Sequence, residues 1–151
     1  MYTAFLIVHS WVRWLALIAG IVATIAAIVD RGAREKSAAD RWGLVLTIAL
    51  DIQLLVGLLL YFVVSPNMAE IRAHFGEAMR IGQLRFWAVE HATAMLIAVV
   101  LAHVGRVLAR RAPTPASKRT RSIVCFGLAT ILMIVGMPWP GMAAGRPLLR
   151  L

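Results

Sequence analysis

Apolar residues fall into four long runs that are separated by short polar stretches. The runs cover about residues 4–29, 43–64, 84–108 and 122–139. Each reaches or approaches the ~20 residues that a helix needs to cross ~30 Å of hydrocarbon. Helices joined by short connections pack antiparallel to their neighbours. The pattern therefore predicts an all-α membrane protein, with one transmembrane domain over residues 1–151 whose four helices form an up-down-up-down bundle.

The connections between the runs differ in character. In the second, Met68, Ile71, Phe75 and Met79 recur at spacings of three and four, which predicts an amphipathic helical segment over about 66–82 at the outer interface or over the bundle mouth. The third, RRAPTPASKRTR, lacks apolar periodicity and is expected to be a solvated loop. The Pro- and Gly-rich end, MPWPGMAAGRPLLRL, predicts an extended tail against the outer surface or a partner.

Composition supports the membrane assignment and narrows the function. The chain is 61% hydrophobic and 15% charged, which is too apolar for a soluble domain of 151 residues. Its net charge of +9 comes mainly from the connections, where basic residues meet anionic headgroups, so the charge does not indicate nucleic-acid binding. A single cysteine, Cys125, excludes an internal disulfide, and no P-loop, GxGxxG or paired nucleophile and base is present.

The distribution of basic residues predicts the orientation. Ten lie on the side of the first and third connections and five on the other side, so the positive-inside rule places both termini outside, in the periplasm if this is a bacterial inner-membrane protein. The ten are Arg31, Arg34, Lys36, Arg41, Arg106, Arg110, Arg111, Lys118, Arg119 and Arg121, and the five are Arg72, Arg80, Arg85, Arg146 and Arg150.

Two histidines in the first and third runs begin faces made of small residues. On the first helix, the stripe that starts with His9 and Arg13 continues through Ala16, Gly20, Ala23 and Ala27. On the third helix, the stripe that starts with His91 and Met95 continues through Ala98, Ala102 and Gly105. Small faces let helices approach closely or leave room for a bulky group.

The two histidines also lie at similar depths. His9 is roughly 12 Å and His91 roughly 9 Å from the middle of its run, on the same outer side. Two imidazoles so placed suit the axial positions of one b-type haem, with Arg13 and Arg85 near its propionates, whereas zinc or copper would need more ligands. Met133 or Met137 would offer His/Met ligation instead, although methionines at helical spacing are more often packing residues.

A structural explanation without a cofactor remains open for these residues. Two histidines at matching depth can hydrogen-bond to each other or to backbone carbonyls, and Arg13 can form an ion pair with Glu90. His74 lies in the outer connection, where a surface role is expected.

The remaining intramembrane polar residues suggest further contacts. His103 has no second histidine at its depth, and its expected partner is Asp51 in the second run, in a buried pair that holds structure or relays a proton. Gln53, Gly57 and Tyr61 share another face of the second helix, which borders a quinone headgroup or only a neighbouring helix.

At HSWVRW in the first run and RFWAVEHATAML in the third, the chain resembles the small four-span bacterial cytochrome b-like membrane proteins of b561 type. The resemblance implies haem held between histidines of neighbouring helices and electron exchange between quinone and a redox partner. The chain departs from the two-haem pattern, because only one histidine pair is well matched.

The sequence thus predicts a membrane electron-transfer protein with one haem b on His9 and His91, exchanging electrons with quinone, alone or within a larger respiratory complex. The alternative is a cofactor-free accessory subunit whose polar pairs set helix registry. A small proton-coupled transporter using Asp51 and His103 is a third class, disfavoured by the lack of internal repeats.

Overall fold

A computed structural model describes residues 1–30 and 37–149, which are helical and contain no strand. Its helices are α1 (Tyr2–Val29), α2 (Ala38–Leu59), α3 (Pro66–Ala73), α4 (Phe75–Ala78), α5 (Gly82–Arg85), α6 (His91–Arg110) and α7 (Pro115–Val135). Two π-helical turns interrupt this order, π1 (Leu60–Val64) after α2 and π2 (Phe86–Glu90) before α6. Arg31, Arg34, Lys36 and Arg150, which contribute to the predicted orientation, lie outside the described residues.

Three of the described helical stretches are long and apolar enough to cross a membrane. They are Tyr2–Val29, Ala38–Val64 and Gly82–Arg110, and they coincide with the first three apolar runs. The helix α7 is not among them. Its first two turns contain three charged residues, Lys118, Arg119 and Arg121, which leave too short an apolar part. It also ends at Val135, so the last residues of the predicted fourth run, 136–139, lie beyond the helix. An all-helical chain with three such stretches is compatible with an integral membrane protein.

Polar caps set where several helices begin. The Ser37 hydroxyl accepts a hydrogen bond from the Asp40 amide while the Asp40 carboxylate accepts one from the Ser37 amide, which is a capping box at the start of α2. Asp40 also binds Lys118 of α7, with an Oδ2–Nζ distance of 2.5 Å. At α7, Thr114 caps a helix that has proline in its first turn. The ion pair therefore ties the beginnings of α2 and α7 together.

The four long helices share one apolar core. The helix α1 packs against α2 and α7, and α6 packs against the same two helices. Each helix contributes fully buried residues to the core, among them Ala19, Ala23, Leu46, Leu50, Ala98, Ala102, Phe126 and Ala129. The small stripes of α1 and α6 therefore face inward, as predicted.

Two residues of α7 occupy the space that two glycines provide. The ring of Phe126 on α7 is 2% exposed, and a Cβ placed on Gly43 would lie 2.5 Å from its Cζ atom. A Cβ placed on Gly105 would lie 2.5 Å from the Cys125 Cβ atom and 3.3 Å from the Phe126 Cε1 atom. The Gly105 end of the small stripe on α6 is thus filled by side chains of α7.

The segment between π1 and π2 packs against both of these turns through α3. It forms the three short helices α3, α4 and α5 in place of one amphipathic helix, and the first break is at His74 (φ −115°, ψ 43°). Met68 and Ile71 are buried as the periodicity predicts, but Phe75 is 46% exposed and Ala78 is buried in its place.

Candidate functional site

His9 and His91 come together between α1 and α6. Their ring centroids are 6.3 Å apart and their planes make an angle of 66°. The two helices are not among the pairs in extensive contact, so the imidazoles bridge opposite sides of the core. The predicted meeting of these side chains at a common depth is therefore seen in the structure.

The orientation of the His91 ring is fixed by the backbone at the end of α7. Its Nδ1 atom lies 2.7 Å from the carbonyl oxygen of Gly136. A carbonyl oxygen only accepts hydrogen bonds, so Nδ1 carries the proton and Nε2 carries the free lone pair. Histidines that ligate metals commonly make such a bond with the non-ligating nitrogen. Phe86 and Trp87 pack beside the ring, at centroid distances of 5.8 and 5.7 Å.

The surroundings of His9 come mainly from α2. A Cβ on Gly57 would lie 3.4 Å from the His9 Cε1 atom, so the absent side chain gives the ring its place. The Gln53 side-chain amide donates to the His9 carbonyl oxygen at 3.0 Å. The His9 Nδ1 atom is buried and has no hydrogen-bond partner among the described residues. The His9 ring is thus held in place by packing against α2, while its Nδ1 atom remains available for a hydrogen bond or a ligand.

Both π-helical turns lie next to the histidine pair. The turn π2 directly precedes His91, and π1 follows the part of α2 that contacts His9. The Tyr61 hydroxyl of π1 donates to the Ala88 carbonyl oxygen of π2 at 2.7 Å and so joins the two turns. Turns of π-helix are rare in proteins. Where one occurs within an α-helix, it is frequently at a functional site.

The C-terminal tail covers this end of the structure. The Leu148 carbonyl oxygen accepts hydrogen bonds from the Arg13 guanidinium and, at 2.8 Å, from the Trp14 indole. Trp139 packs edge-on against Trp14 with a centroid distance of 6.4 Å. The Arg146 guanidinium lies over the Trp87 ring, 5.2 Å from its centroid. The tail therefore lies against the protein's own surface, as in one of the two alternatives that the sequence left open.

A small cavity adjoins His91, with a volume of about 20 Å³. That is room for about one water molecule and far less than a porphyrin needs, so binding of a macrocycle would require the helices around the pair to move apart. The cavity is lined by Arg13, Ala16, Leu50, Gln53, His91, Met95, Met133 and Met137. Both methionines that the sequence suggests as alternative ligands thus border the same space as His91.

The two imidazoles are close enough to hold one group between them. Their ring centroids are 6.3 Å apart, and His9 and His91 would be the residues that hold a metal centre at this place. No cluster of three or more His, Cys, Asp or Glu side chains occurs in the described part of the chain, so the residues do not form a bare zinc site.

The arginines expected near the pair have defined contacts. The Arg85 Nε atom lies 2.6 Å from the Glu90 carboxylate, just before His91 in the chain. Arg13 binds the Ser10 hydroxyl and the Leu148 carbonyl oxygen. Glu90, considered from the sequence as a partner of Arg13, is thus engaged by Arg85. The role of the Leu148 and Gly136 carbonyl groups had no signal in the sequence, because every residue carries a backbone carbonyl.

His103 and Asp51 form the predicted pair, with 2.8 Å between Nε2 and Oδ1. The expectation that this pair is buried is wrong, because the side chains are 50% and 48% exposed. The helices α2 and α6 turn these residues outward while their alanines and glycines pack inward. Nearby, the Arg106 guanidinium donates to the Thr47 hydroxyl at 3.0 Å. His74 lies on the surface as expected and pairs with Glu70.

Comparison with family models, curated proteins and solved structures finds no match to this chain. Conclusions about its function therefore depend on the geometry of the histidine pair and its neighbours.

Proposed function

We propose that the chain is a b-type cytochrome-like membrane protein that transfers electrons, with one haem b between His9 and His91. The observation that carries the proposal is the 6.3 Å separation of the two ring centroids across the core. A haem with two imidazole ligands has a closed coordination sphere and supplies one-electron transfer rather than oxygen activation.

The residues around the pair fit this group in three respects. The bond from His91 Nδ1 to the Gly136 carbonyl leaves Nε2 for ligation. Because Gly57 has no side chain, the His9 ring has room beside α2. Arg13 borders the cavity and carries the positive charge that an anionic propionate would require, whereas the Arg85 guanidinium is already paired with Glu90. The resemblance of HSWVRW and RFWAVEHATAML to small cytochrome b-like proteins supports the same proposal.

The membrane arrangement that accompanies this function is an up-down-up-down bundle in which α7 is the fourth span. The apolar part of α7 is short, but Lys118, Arg119 and Arg121 at its start can extend their charged ends to the interface. We further propose a bacterial inner-membrane location with both termini periplasmic, quinone as the electron donor or acceptor, and a larger respiratory complex as the assembly.

The experiment is an absorption spectrum of the purified protein, oxidised and reduced. We expect a Soret band and a b-type α band in the wild type, and their loss in His9→Ala and in His91→Ala. His74→Ala and His103→Ala are the matched controls and should keep both bands. The proposal would be contradicted if the wild-type protein showed neither band after reconstitution with haem b. Loss of the bands in His103→Ala alone would show that the ligands are wrongly assigned.

The small cavity favours a second candidate function, a cofactor-free accessory subunit of a membrane complex. In that case the His91–Gly136 and Gln53–His9 hydrogen bonds would serve to fix helix registry. The same spectra distinguish the two functions, because the accessory protein would bind no haem. Its histidine variants would still be less stable than the wild type.

A further inference from the structure

The Asp51–His103 pair lies on the outer surface of the helices, between α2 and α6. Both helices belong to the stretches long and apolar enough to span a membrane, and Asp51 is at the centre of the stretch Ala38–Val64. The side chains around the pair are large and apolar, including Ile48, Ile52, Leu55, Val100 and Val107. The pair is therefore a polar spot on a surface that otherwise suits lipid.

Leaving such a pair against hydrocarbon is unfavourable. Ionisable side chains within spans almost always face protein or a water-filled cavity, and each costs several kcal/mol otherwise. The hydrogen bond between Nε2 and Oδ1 satisfies one atom of each residue. Oδ2 of Asp51 and Nδ1 of His103 accept or donate no hydrogen bond in the part of the chain that the structure describes, although the Arg106 charge acts on Asp51 from the same face. Each residue therefore keeps one atom for a hydrogen bond with a partner outside this chain.

We propose that a second copy of the chain covers this face, so that the protein is a two-fold symmetric dimer joined through Asp51 and His103. A two-fold axis brings the same patch of each copy together, and this patch contains both an acid and a base. Across that axis, the second carboxylate oxygen of Asp51 in one copy faces the second ring nitrogen of His103 in the other, and the pair can hydrogen-bond when that nitrogen carries a proton.

The geometry around the pair suits close approach of a second copy. Val100 and Val107 are one turn on either side of His103 and are 51% and 47% exposed, so the face of α6 is smooth and carries compact side chains. Polar side chains that hydrogen-bond across helices drive association in membranes, where apolar contact alone has no such effect. The polar pair therefore gives the dimer its specificity.

The experiment measures the mass of the protein in lipid nanodiscs and its cross-linking in liposomes. We expect a dimer of twice the chain mass of 16.5 kDa. In a Cys125→Ala background, Val100→Cys or Val107→Cys should cross-link between copies with a short bis-maleimide. Ile18→Cys is the matched control, because Ile18 is 52% exposed on α1, away from this face, and should not cross-link.

The decisive variant is Asp51→Leu/His103→Leu, which replaces the polar pair by side chains that lipid accepts. It should remain helical, while its dimer dissociation constant rises at least about tenfold and cross-linking at residue 100 disappears. A monomeric wild type would overturn the proposal. A dimer that survives in the double-leucine variant would do the same, as would cross-linking at residue 18 equal to that at residue 100, or a different protein bound stoichiometrically to this face. None of these measurements requires haem.

Discussion

The contact between Phe126 and the two glycines gives a quantitative test of the core. Phe126→Ala removes about 100 Å³ of side chain, and a cavity that does not collapse costs about 24 cal/mol per Å³, or about 2.4 kcal/mol in the free energy of unfolding. In a soluble protein the substitution would also lose the free energy of moving the side chain from water into the core. In a membrane this loss is small, since the unfolded helices keep their side chains in lipid. The cavity cannot collapse easily, because Gly43 and Gly105 have no side chains to fill it.

The informative comparison adds Gly43→Ala in both backgrounds. In the wild type the new Cβ would lie 2.5 Å from the Phe126 Cζ atom, and overpacking of this kind costs about 1–3 kcal/mol. A gain of about 1 kcal/mol from helix propensity offsets part of that cost, which leaves a net loss of up to about 2 kcal/mol. In Phe126→Ala the clash is gone, so the same substitution should stabilise by about 1 kcal/mol.

The assay is reversible unfolding in mixed dodecyl maltoside and sodium dodecyl sulfate, followed by far-UV circular dichroism. Gly76→Ala is the control, because Gly76 is far from Phe126 in the chain and its Cβ would meet no atom within 4 Å. It should stabilise equally in both backgrounds. The reasoning fails if the effect of Gly43→Ala is the same in both backgrounds to within the ~0.5 kcal/mol expected of independent sites.

Two further predictions concern the ends of the fold. Ser37→Ala removes the hydroxyl that accepts from the Asp40 amide, and should lower the free energy of unfolding by about 0.5–2 kcal/mol in the same assay; no change would show that the cap is dispensable. Trp14→Phe removes the donor to the Leu148 carbonyl, and should speed chymotryptic cleavage after Leu148 because the tail is held less firmly; unchanged cleavage would mean that other contacts hold it.

Much of the helical organisation could be predicted from the sequence. Hydropathy located the three stretches that are long and apolar enough to cross a membrane, because the hydrocarbon thickness sets a minimum length that is visible in the chain. Helical periodicity identified the small faces of α1 and α6, and it placed His9 and His91 on them at similar depths. Depth alone was sufficient to pair Asp51 with His103.

Only the tertiary structure decided how these residues face their surroundings. The rotation of α2 and α6 follows from packing small residues around Phe126, and this turns the Asp51–His103 pair outward, where sequence reasoning expected burial. The bonds from His91 to the Gly136 carbonyl and from Arg13 to the Leu148 carbonyl join residues that are far apart in sequence. Periodicity fixes which residues share a face and at what depth, but the neighbour of that face depends on how all the helices pack together.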